Sequence, residues 1–307
     1  MGYITTESGR TRILIEWKEY NHRWQAEQGD ELFRVMDALA NLLDPHETPR
    51  QGVVKHRLLD CLCYFHEKLN HRFGFVYAIP QLHPDRHSNR PQLYSLNNVI
   101  RMTGADIEGA IRPDLGDIFL LAKELAATLY ALHEVGWFHK NISSHHILVF
   151  SPSDTEIYKY VATSVLTGFS DSRPETSGIT LGPNLEFPHY QHPLYREGGV
   201  GFRRSFDFFS IGIVLLELGL WVPISDLRKD HSKDPGISSA EDFRRKVIRT
   251  YVPMLGEKMG AYYRDAVSFC LDAEDAIDAA QELTDYRRRA QELFRVKVAE
   301  PLSRCCA

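Results

Sequence analysis

From Ser205 to Trp221 the chain reads Ser-Phe-Asp-Phe-Phe-Ser-Ile-Gly-Ile-Val-Leu-Leu-Glu-Leu-Gly-Leu-Trp, which is apolar on nearly every side of a helix. Such a helix has no face to offer water, so it must be enclosed by other protein or by lipid. Lipid is excluded by length, because a bilayer span takes about 20 residues. The run therefore predicts a helix buried at the centre of a large domain. The chain can supply the surrounding shell, with 307 residues of which 43% are hydrophobic. That is enough for one large domain or for two lobes.

The rest of the chain divides into a short mixed part and a long helical part. Ile13-Leu14-Ile15-Glu16-Trp17 reads as a strand ending at Lys18. About a dozen residues precede it, room for one further strand. Asp30–Leu43 has apolar residues at helical spacing (Leu32, Val35, Met36, Leu39, Leu42, Leu43), and Pro45 and Pro49 end it. Leu58–His66 and Arg72–Pro80 read as two strands around a polar turn. Gln81–Gln92, with two prolines, reads as a linker. Ser95 opens a short helix, and Asp117–Val135 is a long amphipathic one that stops at Gly136. Tyr262–Leu271 and Gln281–Val298 are further helices. The predicted fold class is α+β, with a small lobe at 1–80, a linker at 81–92 and a helical lobe at 93–307.

Composition removes several classes of function. A net charge of -5 argues against a nucleic-acid binder. No apolar run reaches the ~18 residues of a membrane span, and no apolar signal region opens the chain, so a cytoplasmic protein is expected. The five cysteines are Cys61, Cys63, Cys270, Cys305 and Cys306, and they form no disulfide framework. Cys61 and Cys63 lack the second pair a zinc site needs, and the cluster His133, His139, His145, His146 would point its rings apart, so no metal is expected. Met1-Gly2 with Thr6 matches the loose myristoylation pattern, while the terminal Cys305-Cys306-Ala307 is not a prenylation box. Arg287-Arg288-Arg289 reads as a solvated helix face, with an acidic partner as the sharper alternative.

After the long helix comes His139-Lys140-Asn141-Ile142-Ser143-Ser144-His145-His146-Ile147-Leu148-Val149. This segment resembles the catalytic loop of protein kinases, H-R-D-L-K-P-E-N-I-L-V. With Ile15-Glu16-Trp17-Lys18, Cys63-Tyr64-Phe65-His66, Arg72-Phe73-Gly74-Phe75-Val76, Gly168-Phe169-Ser170 and Glu217-Leu218-Gly219-Leu220-Trp221, the chain is similar to the kinase-like C-terminal domain of fungal proteins that carry an N-terminal HeLo (prion-inhibition) domain. The resemblance covers about the whole chain and implies a two-lobed protein-kinase-like fold with a reduced β-rich small lobe.

The resemblance carries over residue by residue. His139 matches the loop histidine and Asp207 the buried aspartate that clamps the loop backbone. Pro193 matches the proline closing the activation segment, where Leu194 replaces the acid. The chemical positions are degenerate. Asn141 stands where the base should be, and an amide has no useful basicity; losing a general base costs about 10²–10⁴ in rate. Ser143 replaces the loop lysine. His146 replaces the second metal ligand, and magnesium prefers oxygen to imidazole. Gly168 replaces the metal-binding aspartate, with Asp171 three residues on as a substitute that needs a rearranged loop. No G-x-G-x-x-G precedes the first strand. Lys18 is the candidate phosphate anchor, with Glu16 the alternative register and Asp37 or Glu31 the candidate helix acids. Thr176, Ser177 and Thr180 fall in the activation-segment equivalent as candidate modification sites.

The resemblance thus implies a pseudokinase-type regulatory or binding module in fungal signalling, incompatibility or defence. Its partner is expected to be another protein or an N-terminal helical domain, and no cofactor is expected. The alternatives are a divergent active kinase using ATP and magnesium, and a small-molecule phosphotransferase.

Overall fold

A computed structural model describes residues 2–6, 9–20, 29–44, 57–80, 92–104, 111–152, 155–177, 186–230, 238–277 and 283–307. The fold is mixed α+β, with small antiparallel sheets and a predominance of helix. Strands β1 (Gly2–Thr6), β2 (Gly9–Glu19), β3 (Cys61–Glu67) and β4 (Arg72–Ala78) form an antiparallel sheet in the order β1-β2-β4-β3. Along β4 the alternate residues Phe73, Phe75 and Tyr77 point to one face. They are buried with Leu32, Met36 and Leu39 of helix α1 (Gly29–Leu43). The helix obeys its 3.6-residue period and the strand its two-residue period, and the two stripes meet. This apolar cluster also takes in Leu132, Trp137, Phe150 and Phe169, so the sheet's underside is continuous with the following region.

Beyond it lie β5 (Gln92–Ser95), helix α2 (Leu96–Thr103) and the long helix α3 (Leu115–Glu134). Ser95 caps α2, its side chain accepting from the Asn98 amide at 3.2 Å. Three short strands follow, β6 (Trp137–Phe138), β7 (Ile147–Ser151) and β8 (Val165–Leu166). β7 sits between β5 and β8, and β6 pairs with β9 (Arg173–Pro174). Two helices come next, the short α4 (Pro193–Glu197) and α5 (Arg204–Leu220).

Every residue of α5 is buried, in keeping with its all-round apolar sequence. It packs against α9 (Ala261–Ile277) so closely that a Cβ on Gly212 would lie 2.7 Å from the Cys270 Cβ. Around them stand α6 (Ile224–Asp230), α7 (Ala240–Lys246), α8 (Val252–Met259), α10 (Leu283–Phe294) and α11 (Glu300–Ser303). No described helix is long and apolar enough to cross a membrane.

Several boundaries shift from expectation. The strand expected from Leu58 starts at Cys61, because Leu58 instead makes an isolated bridge to Leu166. The helix expected at Tyr262–Leu271 extends to Ile277, since Ala273 and Glu274 are also buried. The basic triplet is not one solvated face: Arg287 turns inward to Glu175 at 3.1 Å, while Arg288 pairs with Asp285. The linker at 81–92, apart from Gln92, and Met1, Pro45, Pro49 and Thr180 lie outside the described residues.

Candidate functional site

The segment 139–146 is held from below by Asp207, which enters at the start of α5. Asp207 Oδ2 accepts the His139 amide at 3.0 Å, and Oδ1 accepts the Lys140 amide at 2.8 Å. His133, on the last turn of α3, places Nε2 3.0 Å from Oδ2. All four residues are buried. Burial lowers the His133 pKa against the pull of Asp207. The clamp matters because Lys140 has φ of 70°, a left-handed conformation that costs a non-glycine residue about 1–2 kcal/mol. Two hydrogen bonds to one carboxylate hold that turn. The Lys140 ammonium lies 5.8 and 5.6 Å from the Tyr195 and Phe202 rings, and burial draws its pKa down to about 8. The His139 ring packs on Phe169, with centroids 4.6 Å apart, and its Nδ1 accepts the Asn141 amide at 3.3 Å. Burial pulls His139 to about 4, so at neutral pH it is an uncharged ring carrying its proton on Nε2.

Above this clamp, Glu16 and Lys18 project from the same side of β2, two residues apart. Both reach the stretch that follows β8. The Glu16 carboxylate accepts the amides of Gly168 and Phe169, the latter at 3.3 Å, and the Tyr77 hydroxyl at 3.2 Å. Lys18 Nζ donates to three backbone carbonyls, those of Phe169 (3.4 Å), Ser170 (2.5 Å) and Ser172 (2.8 Å). An ammonium has three donors, and all three meet protein acceptors. Its enclosure draws the Lys18 pKa down to about 7, with the Asp171 charge opposing. Neither candidate helix acid reaches Lys18. Asp37 accepts from the Tyr64 hydroxyl, and Glu31 accepts from the Ser177 hydroxyl at 3.2 Å.

Gly168 has φ of 89°, and a Cβ built there would meet the His146 ring, 2.6 Å from Cγ. The imidazole therefore fills the space that a side chain at 168 would need. His146 is fixed by its own bonds. Its Nδ1 lies 2.9 Å from the Asn141 carbonyl, which can only accept, and 3.0 Å from the Ser143 hydroxyl. Nδ1 thus carries the ring proton and is no base toward Ser143. Asn141 sends its side-chain amide to Ser170 Oγ at 3.4 Å. So Asn141, Ser143, His146 and Gly168, singled out separately in the sequence, form one interlocked group. His145 leaves it, stacking on Phe187 with centroids 4.0 Å apart. Pro193 is more distant, opening α4 behind His192, whose Nδ1 accepts the Leu194 amide at 3.3 Å.

The sequence reading missed three features. The Glu16 grip was visible only as the i, i+2 pairing with Lys18. The His133–Asp207 contact joins residues far apart in the chain. Third is a buried polar chain: Asn97 Nδ2 donates to Ser144 Oγ (3.2 Å), Ser144 Oγ lies 2.8 Å from the Tyr190 hydroxyl, and Tyr190 donates to Glu217 Oε1 (2.7 Å). The Ile224 amide also donates to Glu217 Oε1 at 2.8 Å, yet burial raises Glu217 to about 7. Among the described residues no group of three or more His, Cys, Asp or Glu is placed to hold a metal ion.

No curated protein matches the chain. One family match covers residues 80–304, described as a domain of unknown function (DUF7580). It takes in Asn141, His146, Gly168 and Asp207 and stops short of Glu16 and Lys18. Because the match spans well over half of the 307 residues, the chain belongs to the DUF7580 family.

Proposed function

We propose that the chain is a pseudokinase-type regulatory or binding module built on a two-lobed kinase-like fold, and that it works by presenting surface to a protein partner. The observation that carries this reading is the engagement of Lys18 and Glu16 with the backbone of residues 168–172. A lysine that anchors phosphates must offer its ammonium to a ligand, and here three carbonyls take it. The donor set does not suit a magnesium–nucleotide group. Gly168 brings no carboxylate, and His146, whose ring leaves no room for one at that position, offers nitrogen to an ion that prefers oxygen. Asn141 supplies no base. On this reading the kinase scaffold serves a cytoplasmic signalling role of the fungal incompatibility or defence type.

One observation favours the competing reading of a divergent active kinase. The Asp171 charge acts on both Lys18 and Lys140, which puts an acid near the cleft. Two measurements separate the readings. Melting is followed with and without ATP and magnesium, since a ligand that binds the native state raises its stability. Phosphate transfer is followed with radiolabelled ATP at high protein concentration. We expect no shift and no transfer. A magnesium-dependent shift of several degrees, with transfer abolished by Lys18→Ala, would replace this reading with the active kinase.

A further inference from the structure

A concave site lies beside the segment that runs into α4. It is a pocket of about 140 Å³ between that segment, α5, α6 and α7, and its wall includes His189, Arg196, Phe209, Ile213, Arg228 and Phe243. The volume is below the ~300–1,000 Å³ of drug-sized sites, so it suits one side chain or a small ion rather than a nucleotide. Its charges are unbalanced. Arg244, also at the wall, is fully engaged by Glu241, Asp272 and Asp275. Asp226 on α6 is taken by Arg101 and Lys229. That leaves Arg228 and Arg196 with no carboxylate among the described residues. Arg228 lies over the Phe243 ring at 4.9 Å, and its Nη1 is buried without an acceptor. His189 reports the same field, because the charges of Arg196 and Arg228 add to burial in lowering its pKa.

A buried guanidinium nitrogen without an acceptor is costly, and proteins rarely keep one that nothing uses. A planar fork held against an aromatic ring is preorganised for an oxyanion. The apolar wall of Phe209, Ile213 and Phe243 would pack the stem that carries it. We propose that this pocket binds an oxyanion, a phosphate or carboxylate group, with Arg228 as its principal contact and Arg196 at the rim. The source is either an acidic or phosphorylated side chain of a protein segment or free phosphate. The inference does not depend on whether the Lys18 cleft takes nucleotide.

The test uses the full chain at low salt and calorimetric titration. The probes are inorganic phosphate and a capped pentapeptide, Ala-Leu-Xaa-Leu-Ala, with phosphoserine, glutamate or serine at the centre. We expect the phosphoserine peptide to bind at least about tenfold tighter than the serine peptide, the return of one charge-assisted bond. Arg228→Gln should abolish that preference, and so should Arg196→Gln, in part. Arg196 is exposed, so its replacement leaves the fold intact. Arg288→Gln, on distant α10, should change nothing. Saturable phosphate binding lost in Arg228→Gln, with no gain from the peptide stem, would assign the pocket to free phosphate. Equal binding of phosphoserine and serine peptides, unchanged binding in Arg228→Gln, or no binding of any probe would overturn the proposal.

Discussion

The floor of the candidate site and its roof handle polar groups in opposite ways. At the floor, Asp207 meets two backbone amides and His133 in the buried interior. At the roof, Glu16 and Lys18 hold the residue 168–172 backbone, and any ligand drawn to either charge would have to compete with these bonds. Removing Asp207 strands buried donors, whereas at the roof removing Lys18 strands three carbonyls and removing Glu16 strands two amides and the Tyr77 hydroxyl. The difference teaches that the same backbone region can be fixed from one side by a buried carboxylate and from the other by charges that already spend their bonds on the fold. Structural polar residues are costly to lose in any functional setting, and reactive ones are costly only while the reaction is used.

The sharpest break of this contrast is Asp207→Ala. It leaves the His139 and Lys140 amides and His133 without their acceptor, at about 1–3 kcal/mol per stranded group and about 5 kcal/mol in all. Urea unfolding should show the loss, and Asp207→Asn, which keeps one acceptor oxygen, should recover part of it. Unchanged stability in Asp207→Ala would mean the floor is not the anchor. At the junction of floor and roof, Gly168→Asp forces a side chain into a left-handed backbone and against the His146 ring. Strain and overpacking together should cost about 4 kcal/mol. Adding His146→Ala should return a part of it, and additive losses in the double variant would refute the interlock.

Glu217 extends the comparison, because it shares α5 with Asp207 yet is held near neutrality. Its folded pKa, about 7, lies above the 4.5 of the unfolded chain. The folded state thus binds the proton more tightly, and the stability this brings is complete below pH 4.5 and lost as pH rises through 7. The loss is about 3 kcal/mol, and Glu217→Gln should flatten that part of the stability–pH curve. A curve that stays unchanged in Glu217→Gln would place the titration elsewhere. The smallest effect is expected from Lys18→Met. It strands three carbonyls but relieves a buried charge, for a net loss of about 1 kcal/mol. Because the folded pKa of Lys18 lies below its ordinary 10.5, the unfolded chain holds more protons between about pH 7 and 10.5, and this lysine makes stability rise across that window. Lys18→Met should remove the rise. A loss as large as that of Asp207→Ala would erase the distinction between floor and roof.

The elements were largely legible in the sequence where one periodicity prevailed. The spacing of Leu32, Val35, Met36 and Leu39 marks α1, and the all-round apolar run marks α5 as buried. Legibility failed where a partner decided. Leu58 looks like strand and becomes a bridge to Leu166, and Arg287 looks like its neighbours and turns to Glu175. At the candidate site, each residue could be singled out from its place in the chain, but not its neighbours. Gly168 and His146 appear unrelated until the ring is seen filling the glycine's missing side chain.

What the sequence determined by itself is what local and compositional physics can fix: helix faces, strand alternation and a central helix that must be buried. What only the tertiary structure decided is the fate of the charges. Whether Lys18 meets three carbonyls or solvent, whether Glu16 grips the Gly168 amide, and whether Arg228 finds a carboxylate all depend on segments tens or hundreds of residues away. Hydrophobic burial is nearly non-directional and is written in the pattern along the chain. Hydrogen bonds and ion pairs act over a few ångströms and in fixed directions, so they are settled only when the chain has closed on itself.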